Sequence, residues 1–124
     1  MTEANAASFD TGGVFAAIDR QDTAAFVGFL TDDAVFRFGS APPVQGRDAI
    51  AAAVSGFFGT IAGLSHRISR DVVQGSTQFI EGEVTYTRLD GSQITLPFVD
   101  TFEYEGELIA HSKIYMDIAP LYAA

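Results

Sequence analysis

At residue 65 the apolar pattern of this chain changes period, and that change fixes the order of its parts. Before it, apolar residues recur at helical spacing; after it, they alternate. Upstream, Asp10 precedes Val14, Ala17 and Ile18, and Asp22 precedes Phe26, Phe29 and Leu30, so each aspartate is placed to cap a helix. Asp32-Asp33 interrupt the second helix, and Ala34–Phe38 reads as a short strand. The stretch from Gly39 to Gly46, with Pro42-Pro43, reads as loop. From Arg47, the residues Ile50, Val54, Phe57, Phe58 and Ile61 form a wide helical stripe that Gly63 ends.

Downstream, Arg67–Gln74, Phe79–Arg88, Ile94–Tyr104 and Leu108–Ile118 read as successive strands, with turns at Gly75-Ser76, Asp90-Gly91 and Glu105-Gly106. Three helices followed by four strands is an α+β plan: a curved antiparallel sheet packed on three N-terminal helices. At 124 residues the chain fits one domain, with residues 1–8 expected to be a loose N-terminal segment. A long twisted sheet curled round helices makes a cone, and a cone lined by aromatic side chains suits an apolar ligand.

Composition excludes several function classes. Sixteen acidic against seven basic residues give a net charge of −9, and the cations are scattered, which argues against phosphate-mediated binding of nucleic acid. Eleven Phe and no Trp provide a core without relying on indole groups. With no Cys, disulfides, thiolate zinc sites and cysteine nucleophiles are absent together. Met1–Asp10 lacks a basic start and an apolar run, so no secretory signal is expected. Ala49–Ser65 is uncharged over 17 residues, but its three glycines favour a buried helix over a membrane span. The expectation is a soluble cytoplasmic protein.

One residue breaks the strand pattern. On Ile94–Tyr104 the even positions Ile94, Leu96, Phe98, Phe102 and Tyr104 form the apolar face, and Asp100 is its only charge. A carboxyl there loses hydration, its pKa rises, and it becomes able to exchange a proton near neutrality. The competing reading is a structural aspartate satisfied by backbone or by a tyrosine. Its neighbour depends on register. A two-residue turn at Asp90-Gly91 pairs Glu81 with Asp100; a three-residue loop puts Gly82 opposite it and turns Ile80, Val84 and Tyr86 inward. The second aligns apolar faces, which makes Tyr86 a candidate hydrogen-bond donor. His66, at the start of a strand, and His111 read as surface or interface residues; two distant histidines do not make a metal site. Gly12-Gly13 lacks the spacing of a phosphate loop, and no cofactor is expected.

Several of these stretches together resemble the NTF2-like superfamily, and within it SnoaL-like domains. They are Asp22 to Leu30 leading into Asp32-Asp33-Ala34, Gly46-Arg47-Asp48-Ala49-Ile50, Glu81–Arg88, Asp90-Gly91, Phe98-Val99-Asp100-Thr101-Phe102 and Ile114-Tyr115-Met116-Asp117. The resemblance implies a cone-shaped domain and a homodimer through the convex sheet face, where Thr95, Val99, Thr101 and Tyr115 lie. Ketosteroid isomerases of this superfamily use a Tyr, an Asp base and a protonated Asp. Matching them puts Val14 at the Tyr position, Phe38 at the base position and Asp100 at the oxyanion-donor position. Limonene-epoxide hydrolases resemble the Pro42–Ala49 loop, but Phe36 and Phe38 stand where they hold water, Ile114 or Lys113 replaces one Asp, and Asp90 of Arg88-Leu89-Asp90 belongs to a turn. SnoaL-type cyclases are similar in needing one acid-base carboxyl in an aromatic cavity.

The expected function is therefore binding of a hydrophobic small molecule with proton transfer (isomerase, cyclase or dehydratase type) at Asp100. Tyr86 is the hydrogen-bond donor, and Phe38, Phe58, Phe98, Ile114 and Met116 shape the pocket. The alternatives are a non-catalytic ligand-binding or dimerisation domain and a limonene-epoxide-hydrolase-like hydrolase.

Overall fold

Two aspartates start the first two helices. In the computed structural model, which describes residues 9–123, the Asp10 carboxylate accepts from the Gly13 amide at 2.9 Å and opens α1 (Thr11–Asp19). Asp22 accepts from the Ala25 amide at 3.0 Å and opens α2 (Thr23–Val27). Each bond satisfies an amide that the first turn leaves free. Then follow β1 (Leu30–Phe38), β2 (Val44–Gln45), α3 (Arg47–Phe58), β3 (Gly63–Gln74), β4 (Thr77–Thr87), β5 (Gln93–Glu105), β6 (Leu108–Tyr115) and α4 (Ala119–Tyr122).

The strands form one six-stranded sheet in the order β2-β1-β6-β5-β4-β3. All neighbours run antiparallel except β1 and β6, which are parallel. Helix α3 packs against β1, and the Arg47 guanidinium donates to the Leu30 carbonyl, tying the start of the helix to the start of the strand. At another edge of the core, Tyr104 donates to Gln78 at 2.8 Å, while the Gln78 amide reaches Thr11 and Asp71, each at 2.7 Å. Gln78 is fully buried, so this network supplies partners that water no longer can.

Several boundaries differ from the sequence expectation. The second helix ends at Val27, and Leu30 opens a nine-residue strand instead of extending the helix. Asp32-Asp33 fall where the β1–β6 ladder is irregular between Leu30 and Val35; both are exposed, so they interrupt the ladder without ending the strand. The third helix stops at Phe58 with Gly59 as its cap; Ile61 is buried in the connection, and Gly63 begins β3. The expected loop contains β2, whose Val44 and Gln45 pair with Phe36 and Val35. The last strand ends at Tyr115, and the short α4 follows with Pro120 in its first turn. Residues 1–8, expected to be loose, lie outside the described residues. No helix among the described residues is long and apolar enough to cross a membrane.

The β4–β5 register also differs from both expected forms: Asp100 lies opposite Ile80, with Glu81 opposite Val99 and Gly82 opposite Phe98. The connection is a three-residue loop, Leu89-Asp90-Gly91, closed by the Arg88 amide on the Ser92 carbonyl at 2.7 Å. It is centred one residue earlier than the favoured alternative, which moves every pair by two positions. A shift by two preserves the faces, so Ile80, Val84 and Tyr86 do point inward.

Gly82 has a steric reason to be glycine. A Cβ there would stand 2.1 Å from the Arg67 carbonyl oxygen, beside the β3–β4 register shift between Ile68 and Arg70. The missing side chain lets β3 close onto β4 at the irregularity, which re-aims the strand. Gly82→Ala should therefore cost about 1–3 kcal/mol of stability, read as a lower denaturation midpoint at unchanged slope; an unaltered midpoint would contradict the close approach.

Candidate active site

The inner face of the sheet and the helices enclose a cavity of about 590 Å³. This is within the range of small-molecule sites. Strand alternation aims Val84 and Tyr86 of β4, Phe98, Asp100 and Phe102 of β5, and Ser112 and Ile114 of β6 into it. Helix α3 contributes Val54, Phe57 and Phe58, and β1 contributes Phe36 and Phe38. Its exposed lining residues, Ser40, Ala41, Pro42, Ala53, Asp117, Ala119 and Tyr122, mark the opening. Tyr122 is held by a 2.9 Å hydrogen bond with Thr60. Arg88 fixes α4 by donating to the carbonyls of Leu121 at 2.9 Å and Pro120 at 3.0 Å.

Asp100, at 4% exposure, is the one buried carboxylate among the described residues. Its Oδ1 is fully buried and has no hydrogen-bond partner there. Burial with neither cation nor donor beside it pushes the carboxyl up to about 8, so the protonated form dominates at neutral pH. The competing reading, an aspartate satisfied by backbone or tyrosine, does not hold for Oδ1. Tyr86 is buried, and its hydroxyl donates to the Met116 sulfur at 3.8 Å, a weak acceptor and its one partner among the described residues. Desolvation, with a smaller contribution from Asp100, raises the Tyr86 pKa and keeps the phenol neutral.

All seven residues singled out from the sequence line this one cavity: Asp100, Tyr86, Phe38, Phe58, Phe98, Ile114 and Met116. Glu81 is not among them; it is exposed and lies 3.5 Å from Arg70. His111 is exposed, as expected. His66, expected on the surface, instead lines the cavity with its side chain only 10% exposed, and its Nδ1 is 2.6 Å from Asp19. The sequence signal was its parity with Leu64, an inward residue two positions earlier. The Asp19 partner, 47 residues upstream on another element, carried no local signal.

Arg88-Leu89-Asp90, which has the spacing of an epoxide-hydrolase pair, is engaged elsewhere. Arg88 is committed to α4, while Asp90 sits in the exposed turn, where the Ser92 hydroxyl and amide hold its carboxylate below the usual range. On the outer face, Thr95 and Tyr115 are exposed and Val99 and Thr101 half-buried.

The family model of the SnoaL-like domain matches residues 13–112. The chain is a member of the SnoaL-like family. An NTF2-like protein of unknown function from Burkholderia pseudomallei K96243 is similar in structure, at TM-score 0.81 and 18% identity, over 89% of each chain. A provisionally named SnoaL-like polyketide cyclase from Jannaschia sp. CCS1 is similar at TM-score 0.79 and 14% identity, over 98% of this chain and 93% of that one. An epoxide hydrolase of the limonene-epoxide-hydrolase-like type from Mycobacterium tuberculosis is similar at TM-score 0.74 and 17% identity, over 90% and 82%. No curated protein matches in sequence. At these identities the shared property is the fold.

The raised Asp100 carboxyl makes stability depend on pH. Its folded value, about 8, lies above the unfolded value of 3.8, so the unfolded chain releases this proton first as pH rises. Stability should fall between about pH 4 and 8, at up to about 1.4 kcal/mol per pH unit from this group. Asp100→Asn should remove that component, so urea denaturation of the variant should show its largest gain over the parent near pH 8. An equal difference at pH 5 and pH 8 would contradict the assignment.

Proposed function

We propose that this SnoaL-like protein binds a hydrophobic small molecule in its aromatic cavity and transfers protons on it without a cofactor, as an isomerase, cyclase or dehydratase does. The observation that carries this reading is Asp100 Oδ1, buried at the cavity wall without a partner. A polar atom left in that condition costs free energy, and a ligand carrying a complementary group would recover it. In its protonated form the carboxyl donates to a ligand carbonyl oxygen and stabilises the negative charge that develops there. Because it titrates at about 8, it also gives up and regains its proton under ordinary conditions.

Tyr86 supplies a second neutral donor, since the Met116 sulfur competes only weakly for its hydroxyl. Phe38, Phe58, Phe98, Ile114 and Met116 offer apolar and aromatic surface to the ligand body, which excludes water and strengthens both polar interactions. The polar minority of the lining orients the ligand, and the apolar majority supplies affinity. The commitment of Arg88 to α4 and the exposure of Asp90 favour this reading over epoxide hydrolysis.

Turnover and solvent-deuterium incorporation across a panel of cyclic enones and aromatic polyketide-type ketones test the proposal. The wild-type protein should convert or exchange at least one panel member, and Asp100→Asn should reduce that rate by roughly 10²–10⁴-fold, the usual worth of a positioned acid-base group. Equal rates in the two proteins would overturn the role of Asp100. Binding across the panel with no turnover or exchange would favour a non-catalytic ligand-binding domain.

A further inference from the structure

His66 occupies the same cavity as Asp100 but is held in a different way. It sits on β3, its Nδ1 is 2.6 Å from Asp19 Oδ1, and its own backbone amide donates to Asp19 Oδ2 at 3.1 Å. One carboxylate thus grips both the ring and the backbone of His66. A carboxylate only accepts, so Nδ1 carries the hydrogen, and in the neutral ring Nε2 keeps its lone pair. Asp19 is the last residue of α1, where the helix dipole disfavours a negative charge and the last turn holds no basic residue. The contact with His66 gives the carboxylate a use in that position. Two aromatic rings set the imidazole plane: Phe15 at 4.9 Å and 60°, and Phe98 at 5.2 Å and 88°. Nε2 has no hydrogen-bond partner among the described residues and is not sealed in the interior, while the side chain lines the cavity.

We infer that His66 is a second catalytic residue, a proton acceptor positioned by Asp19, and that it works with Asp100 on a conjugated ligand bearing a hydroxyl and a carbonyl at opposite ends. This rests on the proposed role of Asp100 and extends it. The spacing supports two separate points of action. Along β4, His66 pairs with Val84 and Asp100 with Ile80, so their rungs are four residues apart, roughly 13 Å of strand. Side chains at that separation address different atoms of one molecule. The Phe98 ring, in contact with His66 and two residues from Asp100, provides the flat surface between them.

The step balances without any further reagent. Nε2 takes the proton of the ligand hydroxyl. The electron pair left on that oxygen shifts through the conjugated frame onto the carbonyl oxygen, which takes the proton of Asp100. An imidazolium, a carboxylate and the tautomer of the ligand result, and the two protein groups reset when the imidazolium proton leaves and the carboxylate regains one from water. A proton donor at one end and a proton acceptor at the other is the arrangement such a transfer needs; two carboxylates at the same positions would repel the electron density being moved.

The test uses 4-(4-hydroxyphenyl)but-3-en-2-one, a conjugated ketone whose phenol absorbs at longer wavelength once ionised. At pH 7 the free probe is neutral, because a phenol has a pKa of about 10. Bound to the wild-type protein it should show the long-wavelength band. His66→Gln should bind the probe yet lose the band, and Asp100→Asn should weaken binding. If His66→Gln keeps the band, the His66 inference falls while the Asp100 reading stands. If Asp100→Asn changes neither band nor affinity, the Asp100 reading falls. Failure of the wild type to bind would overturn the proposed ligand class. A second readout needs no probe: nitrogen-15 NMR of the folded protein should show His66 in the tautomer protonated at Nδ1, and Asp19→Asn should shift the population toward the other tautomer. A wild-type His66 protonated at Nε2 would overturn the assignment directly.

Discussion

Burial of a carboxyl without a partner is the constraint on which the chemistry of this fold depends. Desolvation penalises the charged form of Asp100, and no guanidinium or ammonium among the described lining residues offsets the penalty. The proton therefore stays on. A protonated carboxyl in an aromatic enclosure is a hydrogen-bond donor of a kind that water-exposed aspartates do not provide. The sheet brings this about by geometry alone: β5 sits between β4 and β6, and its even residues face the concave side. Phe98 and Phe102 flank Asp100 on that side and keep water away from it.

The same enclosure treats its other polar groups differently, and the differences follow from their neighbours. Tyr86 is desolvated, so it stays neutral, and its hydroxyl donates only to the weakly accepting Met116 sulfur among the described residues. His66 is half-buried beside a carboxylate, which takes the hydrogen of Nδ1, and Nε2 has no hydrogen-bond partner among the described residues. Donors and an acceptor thus lie along one aromatic wall. The scaffold around them is tied by contacts distant in sequence: Arg47 to the Leu30 carbonyl, Arg88 to the carbonyls of α4, and the Gln78 network to α1.

Much of this was legible in the sequence because it is local. Period two identified the long strands, and a single charge on an apolar face identified Asp100. Five of the seven singled-out residues, Phe38, Tyr86, Phe98, Asp100 and Ile114, share the cavity because strand alternation sorts side chains by parity, and parity survives a register shift of two; Phe58 reaches it from α3 and Met116 from beyond β6. What was not legible is non-local. The parallel pairing of β1 with β6 joins strands separated by the whole middle of the chain, and no periodicity encodes it. The end of α3 at Phe58 was hidden because Ile61 continues the apolar spacing while packing from a loop. His66 was misplaced although its parity with Leu64 marks the inward face, and its contact with Asp19, 47 residues upstream, has no local signal. Helix α4 is four residues long, too short to show a period.

The central claim is that Asp100 is protonated at neutral pH because its site is dry. Carbon-13 NMR of the folded protein, with the Asp100 carboxyl assigned by comparison with Asp100→Asn, tests it most directly. The Asp100 carboxyl should titrate with a midpoint near 8, well above that of the solvent-exposed aspartates in the same spectrum. A midpoint near 4 would contradict it, since it would mean that water or an unrecognised donor reaches the carboxylate and that the cavity wall does not hold a neutral acid.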